Sequence, residues 1–277
     1  MGQNVQQPGG GVLAGVSWVG QLTYRARHLT GYEKWVTWGG IVVLWQALSY
    51  VLPPILAPSV QRVAAAVGDI LTDRTLLGAM ALTYTRILVA LAVSFLLGLA
   101  LGLLAGFNDR FDRYASPAVH FIQGIPALSW VVFAVIWFRD LEVRILFVIL
   151  MSTTPIFFYQ IRDGLRGVSK ELWDMVLSFR PTRRQLLQKL VFPALVPAIF
   201  TGWKINLGGG TRVAIVAELV GGISGIGYRL RLSQEIFRMD YAIAWTLTLV
   251  AFVLATEAVL ALGEGRLLRW RPRLEAR

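Results

Sequence analysis

Long apolar stretches dominate this sequence and limit what it can fold into more than any other feature. A helix needs about 20 mainly apolar residues to cross a bilayer. Six stretches match or approach this length, and charged or proline-containing segments separate them. They cover about Trp35–Leu56, Gly78–Phe107, Ala115–Phe138, Ile145–Ile161, Phe192–Val220 and Tyr241–Leu262. The pattern predicts an all-α, polytopic membrane protein with about six transmembrane helices.

The composition excludes several other classes of protein. Only 16% of the residues are charged and 56% are hydrophobic, whereas soluble domains carry about 25% charged residues. Cysteine is absent and histidine occurs only at His28 and His120, so we expect no disulfide framework, iron–sulfur cluster or metal site. Residues 1–34 are rich in glycine and glutamine and then basic, so we expect no apolar h-region and no cleavable signal peptide.

The formal net charge is +11, and its distribution predicts how the helices are oriented. Loops on the cytoplasmic side of a membrane carry an excess of lysine and arginine. With a cytoplasmic N-terminus, the inside segments hold 17 of these residues and the outside segments hold 7. We therefore expect a cytoplasmic N-terminal segment at 1–34, a transmembrane domain at 35–262 and a cytoplasmic tail at 263–277. The positive charge then reflects topology rather than affinity for nucleic acid.

The segment 162–191 is too charged to span a membrane, yet its pattern predicts a folded structure. Ser169 is a suitable N-cap for a helix that follows it. Leu172, Val176 and Phe179 then share one apolar face of that helix.

A second helix is predicted after Pro181. Thr182 and Gln185 have the spacing of a capping box, and an apolar stripe continues through Leu190 until Pro193. We therefore expect two short amphipathic helices at a cytoplasmic corner. Two interpretations are open: a helical hairpin that rests on the membrane surface, or a docking surface for a cytoplasmic partner.

Four ionisable residues fall within or beside the apolar stretches: Arg86, Lys204, Arg212 and Glu218. Such residues are costly at membrane depth and usually face a pathway or a partner. For Lys204 and Arg212 two interpretations are open. In the functional interpretation, they create a positive field that favours a small anion. In the structural interpretation, they pair with Glu218, Glu257 or lipid phosphates.

Three consecutive glycines, Gly208, Gly209 and Gly210, interrupt the fifth apolar stretch. Each glycine forfeits about 1 kcal/mol of helix propensity, so we expect the helix to lose its regularity there. A hinge and a close contact between helices both explain this triplet, and close contact is the more frequent reason for glycine in membrane helices.

Several motifs make the sequence recognisable by their order. They are Ile125-Pro126-Ala127-Leu128-Ser129-Trp130 with Trp137-Phe138, Ala217-Glu218 with Ser224-Gly225-Ile226-Gly227-Tyr228, and Leu268-Arg269-Trp270-Arg271-Pro272. Over about residues 35–272 the sequence resembles the permease subunits of binding-protein-dependent ABC importers, in the branch for nitrate, sulfonates, taurine and bicarbonate. The chain has Arg139 where these permeases often have glycine.

The same permeases carry a cytoplasmic loop of pattern E-A-A-x3-G-x9-I-x-L-P. Counting back from Pro193 aligns Asp174 with the glutamate, Met175 and Val176 with the alanines, and Arg180 with the glycine. Arg180 precedes a proline, and the residue before proline is disfavoured in the right-handed helical region. We therefore expect this chain to form the bend differently from one that has glycine.

The resemblance implies the fold of a type I ABC importer permease and a mechanism of transport. Two permease copies, expected to be a homodimer, form a pathway in the lipid membrane. A periplasmic or lipid-anchored binding protein supplies this pathway, and cytoplasmic ABC ATPase subunits drive it. The residues implied for the ATPase-coupling loop are Asp174, Met175, Val176, Phe179, Arg180 and Pro193. Those implied for the translocation pathway are Lys204, Gly208, Gly209, Gly210, Arg212 and Glu218.

The resemblance also implies a multi-pass protein of the bacterial inner membrane with both termini in the cytoplasm. The sequence contains no G-x-x-x-x-G-K-[ST] motif and no Gly-Lys dipeptide, so we expect ATP and Mg²⁺ to bind to the partner ATPase. It also lacks H-E-x-x-H and G-x-S-x-G. We therefore expect a transport subunit without enzymatic activity or a bound cofactor of its own.

Two other functions are open at this point. A stand-alone secondary transporter or channel is the leading alternative, although the sequence shows no internal repeat and has a long structured loop. A non-transporting membrane scaffold is the second alternative, although such a protein would not need the polar residues that the fifth stretch contains. The substrate is also open among nitrate, bicarbonate, an alkanesulfonate, an aromatic acid and a thiamine-precursor pyrimidine.

Overall fold

Helices make up the regular secondary structure of residues 31–268, the part of the chain that this computed structural model describes. They are α1 (Gly31–Val51), α2 (Val60–Thr72), α3 (Arg74–Phe107), α4 (Asp109–Gly124), α5 (Ala127–Trp137), α6 (Leu141–Arg166), α7 (Lys170–Ser178), α8 (Arg183–Leu186), α9 (Phe192–Gly221), α10 (Ile226–Glu235) and α11 (Met239–Leu267), with a π-helical turn (Leu187–Val191) between α8 and α9. The predicted all-α class is confirmed. Most of the predicted N-terminal segment, and the tail from residue 269 onward, lie outside the described residues.

The chain divides into two units, Met1–Val60 and Gln61–Arg277. The first unit contains α1, and the second contains every helix from α3 onward. The candidate functional site described below lies wholly within the second unit.

Helix α1 is shorter than the first predicted span. It ends before Pro53, because proline lacks the N–H that the next helical hydrogen bond requires. Within the same unit the Trp45 indole N–H donates to the carbonyl of Pro58 at 3.0 Å. The apolar part of α1 is Trp35–Val51, which is shorter than the helices counted as spans below. The prediction that this span continues to Leu56 is therefore wrong.

Four helical stretches of the second unit are long and apolar enough to cross a membrane. They are α3, α6, the combined stretch Arg183–Gly221 and α11, and they match the second, fourth, fifth and sixth predicted spans. The 34 residues of α3 extend about 51 Å at 1.5 Å per residue. This length exceeds the roughly 30 Å of a hydrocarbon core.

The third predicted span, Ala115–Phe138, is not a single helix. Helices α4 and α5 replace it and meet at an angle of 91°. Between them Ile125 and Pro126 have ψ angles of 125° and 138°, outside the helical range. Pro126 explains the break, since proline disfavours a helical conformation in the residue before it. The Ile-Pro motif is therefore an elbow within the span.

Helices α3 and α6 pack closely because glycines line their contact. A Cβ atom added at Gly98 would lie 2.4 Å from Phe157 Cβ, and one at Gly102 would lie 2.8 Å from Ile161 Cβ. The residue numbers rise along both helices from the first pair to the second, so α3 and α6 run parallel. The buried core lies along this contact and includes the fully buried ring of Phe157.

This parallel packing fixes the course of the chain through the bundle. Since α6 runs in the direction of α3, the α4–α5 pair must carry the chain back to the opposite end, as a broken span does. Helix α9 is antiparallel to α6, because Gly202 faces Phe157 while Gly221 faces Arg144. We call the end that carries residues 162–191 the loop end, and the opposite end the cluster end.

Helix α8, the π-helical turn and α9 form one continuous stretch, Arg183–Gly221. The N–H of Phe192 donates to the carbonyl of Leu187, five residues back. This wide turn lies directly before Pro193, whose ring is incompatible with an ordinary α-helical turn at that point. The second loop helix therefore does not stop at Pro193, as the sequence predicted, but continues into the membrane-spanning helix.

Candidate functional site

A fully buried carboxylate lies at the centre of the cluster end. Glu218, three residues before the end of α9, has no solvent exposure. The hydroxyl of Thr83 lies 2.9 Å from its carboxylate, and Arg86 Nη1 lies 2.8 Å from Oε1. The N–H of Gly227 donates to Oε2 at 2.8 Å. Both oxygens therefore have donors, as a buried charge requires.

The Ser-Gly-Ile-Gly-Tyr motif forms the turn that closes over this carboxylate. Gly225 has a φ of +94°, in the left-handed region that glycine adopts without strain, and a Cβ there would lie 2.4 Å from Glu218 Oε1. A Cβ at Gly227 would lie 2.5 Å from Glu218 Cβ. The two glycines thus let the first N–H groups of α10 reach Glu218 and the hydroxyl of Thr83. The positive end of the helix dipole favours the negative charge.

Arg86 connects Glu218 to a second carboxylate. Its Nε and Nη2 donate to the two oxygens of Glu142 at 2.8 and 2.5 Å, and Nη2 donates to the hydroxyl of Ser224 at 3.0 Å. We name Thr83, Arg86, Glu142, Glu218 and Ser224 the polar cluster. It joins α3, α6, α9 and the turn before α10. Two of its charged residues, Arg86 and Glu218, were candidates from the sequence, but their ion pair was not predicted. The groups that donate to Glu218 belong to the same chain and surround its carboxylate. The placement of Glu218 on the translocation pathway therefore stays a prediction.

Lys204 has a partner that the sequence analysis missed. Its ammonium group forms an ion pair with Glu264 of α11, and the two side chains are 38% and 28% exposed. Neither Glu218 nor Glu257, the predicted structural partners, fills this role. Sixty residues separate Lys204 from Glu264, and only the packing of α9 beside α11 brings them together. This pair offsets the positive charge of Lys204.

Arg212 differs from Lys204 because its charge is not offset. The side chain is exposed and forms no hydrogen bond or ion pair within residues 31–268, and Glu257 is thus not its partner. Gly210, two residues earlier, packs against Leu91 and Thr153, which lie at the middle of α3 and α6. Arg212 therefore presents an uncompensated positive charge near the middle of the bundle.

The glycine triplet does not interrupt α9, so the predicted loss of helical regularity is wrong. Gly210 explains part of the triplet by close contact, since a Cβ there would lie 3.0 Å from Leu91 Cδ2. A Cβ at Gly208 or Gly209 would meet no atom within 4 Å. These two glycines share a surface that the described part of the chain, residues 31–268, leaves uncovered. We name it the open face of α9, and it consists of Ile205, Gly208, Gly209, Arg212 and Val216.

Asn206 is a polar residue that the sequence analysis did not single out. Its side chain is fully buried in α9, and neither its amide nitrogen nor its amide oxygen has a hydrogen-bond partner among residues 31–268. An unpaired buried amide destabilises the folded state because it loses its water without gaining a partner. A lone asparagine in an apolar stretch was the only signal in the sequence.

Replacing Asn206 by leucine, which has a similar size, should therefore stabilise the protein. We expect the free energy of unfolding to rise by about 1–3 kcal/mol, the usual desolvation cost of an unpaired polar group. Thermal unfolding of the purified protein in detergent measures the change. The Asn206→Asp variant is the matched control and should unfold at a lower temperature than wild type. A lower unfolding temperature for Asn206→Leu would contradict the buried position of this amide.

The predicted caps of the loop helices are confirmed. The Ser169 hydroxyl accepts the N–H of Leu172 at 3.3 Å at the start of α7. The Thr182 hydroxyl accepts the N–H of Gln185 at 3.3 Å, and the Gln185 side chain accepts the N–H of Thr182 at 2.9 Å. These reciprocal bonds form the predicted capping box at α8. The loop therefore has a fixed backbone at both helix starts.

The buried side of α7 differs from the prediction. Phe179, expected on the apolar face with Leu172 and Val176, is 79% exposed. Trp173 is half-buried instead, and its ring meets Phe107 edge-on with 6.4 Å between centroids. The larger indole thus attaches α7 to the end of α3, which rotates the predicted apolar face partly outward.

Arg180 adopts the backbone conformation that glycine favours. Its φ is +49°, and it directly follows Phe179, the C-cap of α7. A residue in the left-handed region commonly ends a helix at this position, and glycine is its usual occupant. Arg180 lies outside the right-handed helical region, as expected for a residue before proline, and it makes a left-handed bend despite its side chain. The conformation costs a residue other than glycine about 1–2 kcal/mol.

A cavity of about 640 Å³ lies between α7 and the adjoining ends of α6 and α9. Met175, Val176 and Pro193 line it, together with Lys189. The other residues implied for the coupling loop, Asp174, Phe179 and Arg180, are exposed and do not line it. The loop thus has an inner side toward the cavity and an outer side that no residue within 31–268 covers.

These features together define a class of protein. It is a polytopic helical membrane protein in which a capped loop at one end is continuous with a membrane-spanning helix that bears an uncompensated charge. Residues 98–269 match the family described as the inner membrane component of binding-protein-dependent transport systems. The chain belongs to this family, and it is a permease subunit of the ABC importer type.

Curated relatives agree with this assignment along most of the chain. The putative aliphatic sulfonates transport permease SsuC of Bacillus subtilis is 26% identical over 83% of this chain and 84% of its own length. The taurine transport permease TauC of Escherichia coli is 26% identical over 83% and 86%. The formylaminopyrimidine transport permease ThiX of Halalkalibacterium halodurans is 27% identical over 83% and 92%.

A solved structure has the same fold. It is a chain of the methionine ABC transporter MetNI, determined in inward-facing conformations, with a TM-score of 0.55 and 16% sequence identity. The similarity covers 73% of this chain and all of that chain. The predicted fold of a type I importer permease is thereby confirmed.

Proposed function

We propose that this chain is the pathway-forming subunit of an ATP-driven importer for a small anion. It pairs with a second copy of itself, receives its substrate from a periplasmic or lipid-anchored binding protein and binds cytoplasmic ABC ATPase subunits, which hold ATP and Mg²⁺. The loop end faces the cytoplasm together with both termini, since 17 lysines and arginines fall on that side and 7 on the other.

The observation that supports this function best is the continuity of α8 with α9. One helical stretch, Arg183–Gly221, begins in the capped loop and extends to the polar cluster. A movement of the loop therefore displaces the open face of α9 without an intervening flexible joint. This is the mechanical link that a transporter needs when the ATPase and the pathway belong to different chains.

The outer side of the loop is the surface that we assign to the ATPase. It is formed by Asp174, Phe179 and Arg180, all exposed. Met175, Val176 and Pro193 support it from the cavity side. The fixed caps of α7 and α8 keep this surface in one shape, which lowers the entropy lost on binding.

Arg212 supports an anionic substrate. A charged side chain near the bilayer centre costs about 2.5–3.5 kcal/mol when it faces lipid, so we place the open face of α9 along a water-filled pathway between two copies. There the unpaired guanidinium attracts carboxylate, sulfonate or similar groups. The names of SsuC and TauC refer to sulfonates and taurine, which carry such a group, while Lys204 contributes less because Glu264 offsets it.

Neutralising Arg212 should therefore impair uptake. We expect Arg212→Gln to lower uptake of the transported anion roughly 10–100-fold, since a hydrogen bond to a charged group contributes about 1.5–3 kcal/mol. Arg212→Lys should retain part of it. The measurement is uptake of labelled taurine, an alkanesulfonate, nitrate and bicarbonate by cells that express each variant with its ATPase and binding protein.

Lys204→Met serves as the matched control on the same helix and should reduce uptake less than Arg212→Gln. Unchanged uptake by Arg212→Gln would exclude an anion site at this residue. A substrate such as the formylaminopyrimidine in the name of ThiX would then be the better candidate.

Co-purification tests the proposed partnership. We expect a gene for an ABC ATPase beside that of the permease, and the permease should purify with this ATPase. Mixing differently tagged copies should recover two permeases in one complex. Purification as a single chain that carries solute without ATP would favour a stand-alone transporter instead.

A further inference from the structure

The tip of the loop combines backbone strain with an exposed positive charge. Arg180 holds a φ of +49°, and its N–H donates to the carbonyl of Leu177 at 2.9 Å. Pro181 follows and restricts the chain further. A glycine would take this conformation freely, so the geometry of the bend gives no reason for an arginine.

The side chain of Arg180 has no role within the part of the chain that the structure describes. It is exposed and forms no hydrogen bond or ion pair there. Its surroundings resemble the centre of a protein interface rather than an ordinary surface. Phe179 is 79% exposed and Leu177 is 50% exposed, and aromatic residues and arginine are enriched at such centres.

The charge around the tip is mainly positive. Arg183 and Arg184 are exposed on the first turn of α8 and form no ion pair within residues 31–268. A surface with apolar side chains and several unpaired guanidinium groups is complementary to an apolar groove with carboxylates at its edge. Arginine binds a carboxylate through two parallel hydrogen bonds, which requires a fixed approach.

We propose that Arg180 determines which ATPase this permease accepts, by binding a carboxylate on the ATPase surface that meets the loop. This inference rests on the proposed function and adds the chemistry of the partner surface. The left-handed bend and Pro181 fix the direction in which the Arg180 side chain leaves the backbone, which suits a fixed carboxylate on a protein. Lipid phosphates are fluid and give no advantage to a strained backbone.

The test measures binding of the ATPase encoded beside the permease gene to the purified permease in nanodiscs. Arg180→Gly should weaken binding at least tenfold and should raise the unfolding temperature of the permease. Arg180→Lys keeps the charge but loses the two-bond geometry, so its affinity should fall between those of wild type and Arg180→Gly. Lys170→Gln, at the other end of α7, is the control and should change the affinity less than threefold.

Two results would overturn the assignment of Arg180. One is Arg180→Gly binding as tightly as wild type. The other is an Arg180→Gly variant that loses affinity for the ATPase in nanodiscs with anionic lipid but not in phosphatidylcholine nanodiscs. The guanidinium of Arg180 would then contact lipid rather than the ATPase. Failure of the wild-type permease to bind the ATPase at all would instead contradict the proposed function.

Discussion

Replacing Glu218 by glutamine lowers the free energy of unfolding by about 3–5 kcal/mol, the usual cost of breaking a buried ion pair. The substitution removes the negative charge that faces Arg86 Nη1 at 2.8 Å. It also places an amide NH₂ group among the donors of Arg86, Thr83 and Gly227, so that donors face donors at a fully buried position. Chemical unfolding of the purified protein in mild detergent measures the loss.

Glu142 offers a matched control because it binds the same guanidinium from the exposed side. Its side chain is 57% exposed, whereas that of Glu218 is buried. Glu142→Gln should therefore cost about 1 kcal/mol or less, as exposed ion pairs do. The double variant Arg86→Met with Glu218→Leu should recover much of the single-variant loss, since no unpaired charge stays buried. A loss for Glu218→Gln no larger than that for Glu142→Gln would refute the central position of Glu218.

Breaking the helix between α8 and α9 should abolish coupled transport while leaving the ATPase bound. Leu187, Gln188 and Lys189 form most of the π-helical turn and are all exposed, so changing them removes little packing. Replacing all three by glycine forfeits about 3 kcal/mol of helix propensity, which favours local unwinding. We expect ATP-driven uptake to fall to background because the movement of the loop no longer reaches α9.

The same three residues replaced by alanine provide the control. Both variants remove the same side chains, but alanine is the strongest helix former, so the alanine variant should retain most of the uptake. ATPase binding should be the same in the two variants. Equal uptake by the glycine and alanine variants would show that a rigid connection is not needed.

Local features of this fold could be predicted from the sequence. The Ser169 cap and the Thr182–Gln185 capping box depend on residues three positions apart, and their spacing is sufficient. The four long spans follow from runs of apolar residues in the same way. The average hydropathy of Ala115–Phe138 does not reveal the elbow at Pro126, because a long apolar run conceals the effect of one residue on the backbone.

Contacts between distant segments could not be predicted. Lys204 and Glu264, or Arg86 and Glu218, meet only after the helices have packed. Local patterns such as periodicity and spacing do not reveal which helix faces meet. The expected break at Gly208–Gly210 was wrong because propensity is weak beside the packing of Gly210 on Leu91 and Thr153. For Arg180 the sequence identified the position of the bend, but only the φ of +49° shows that arginine adopts the conformation usual for glycine.

Uptake into proteoliposomes tests the central claim most directly. The permease would be reconstituted with the ATPase encoded beside its gene and with the binding protein, and labelled solute inside the vesicles would be measured with and without ATP. We predict that solute accumulates above the external concentration and that this accumulation requires ATP, the ATPase and the binding protein together. Arg212→Gln should lower the uptake roughly 10–100-fold. Uptake by the permease alone, without ATP and only down a concentration gradient, would contradict its assignment as the permease of an ATP-driven importer.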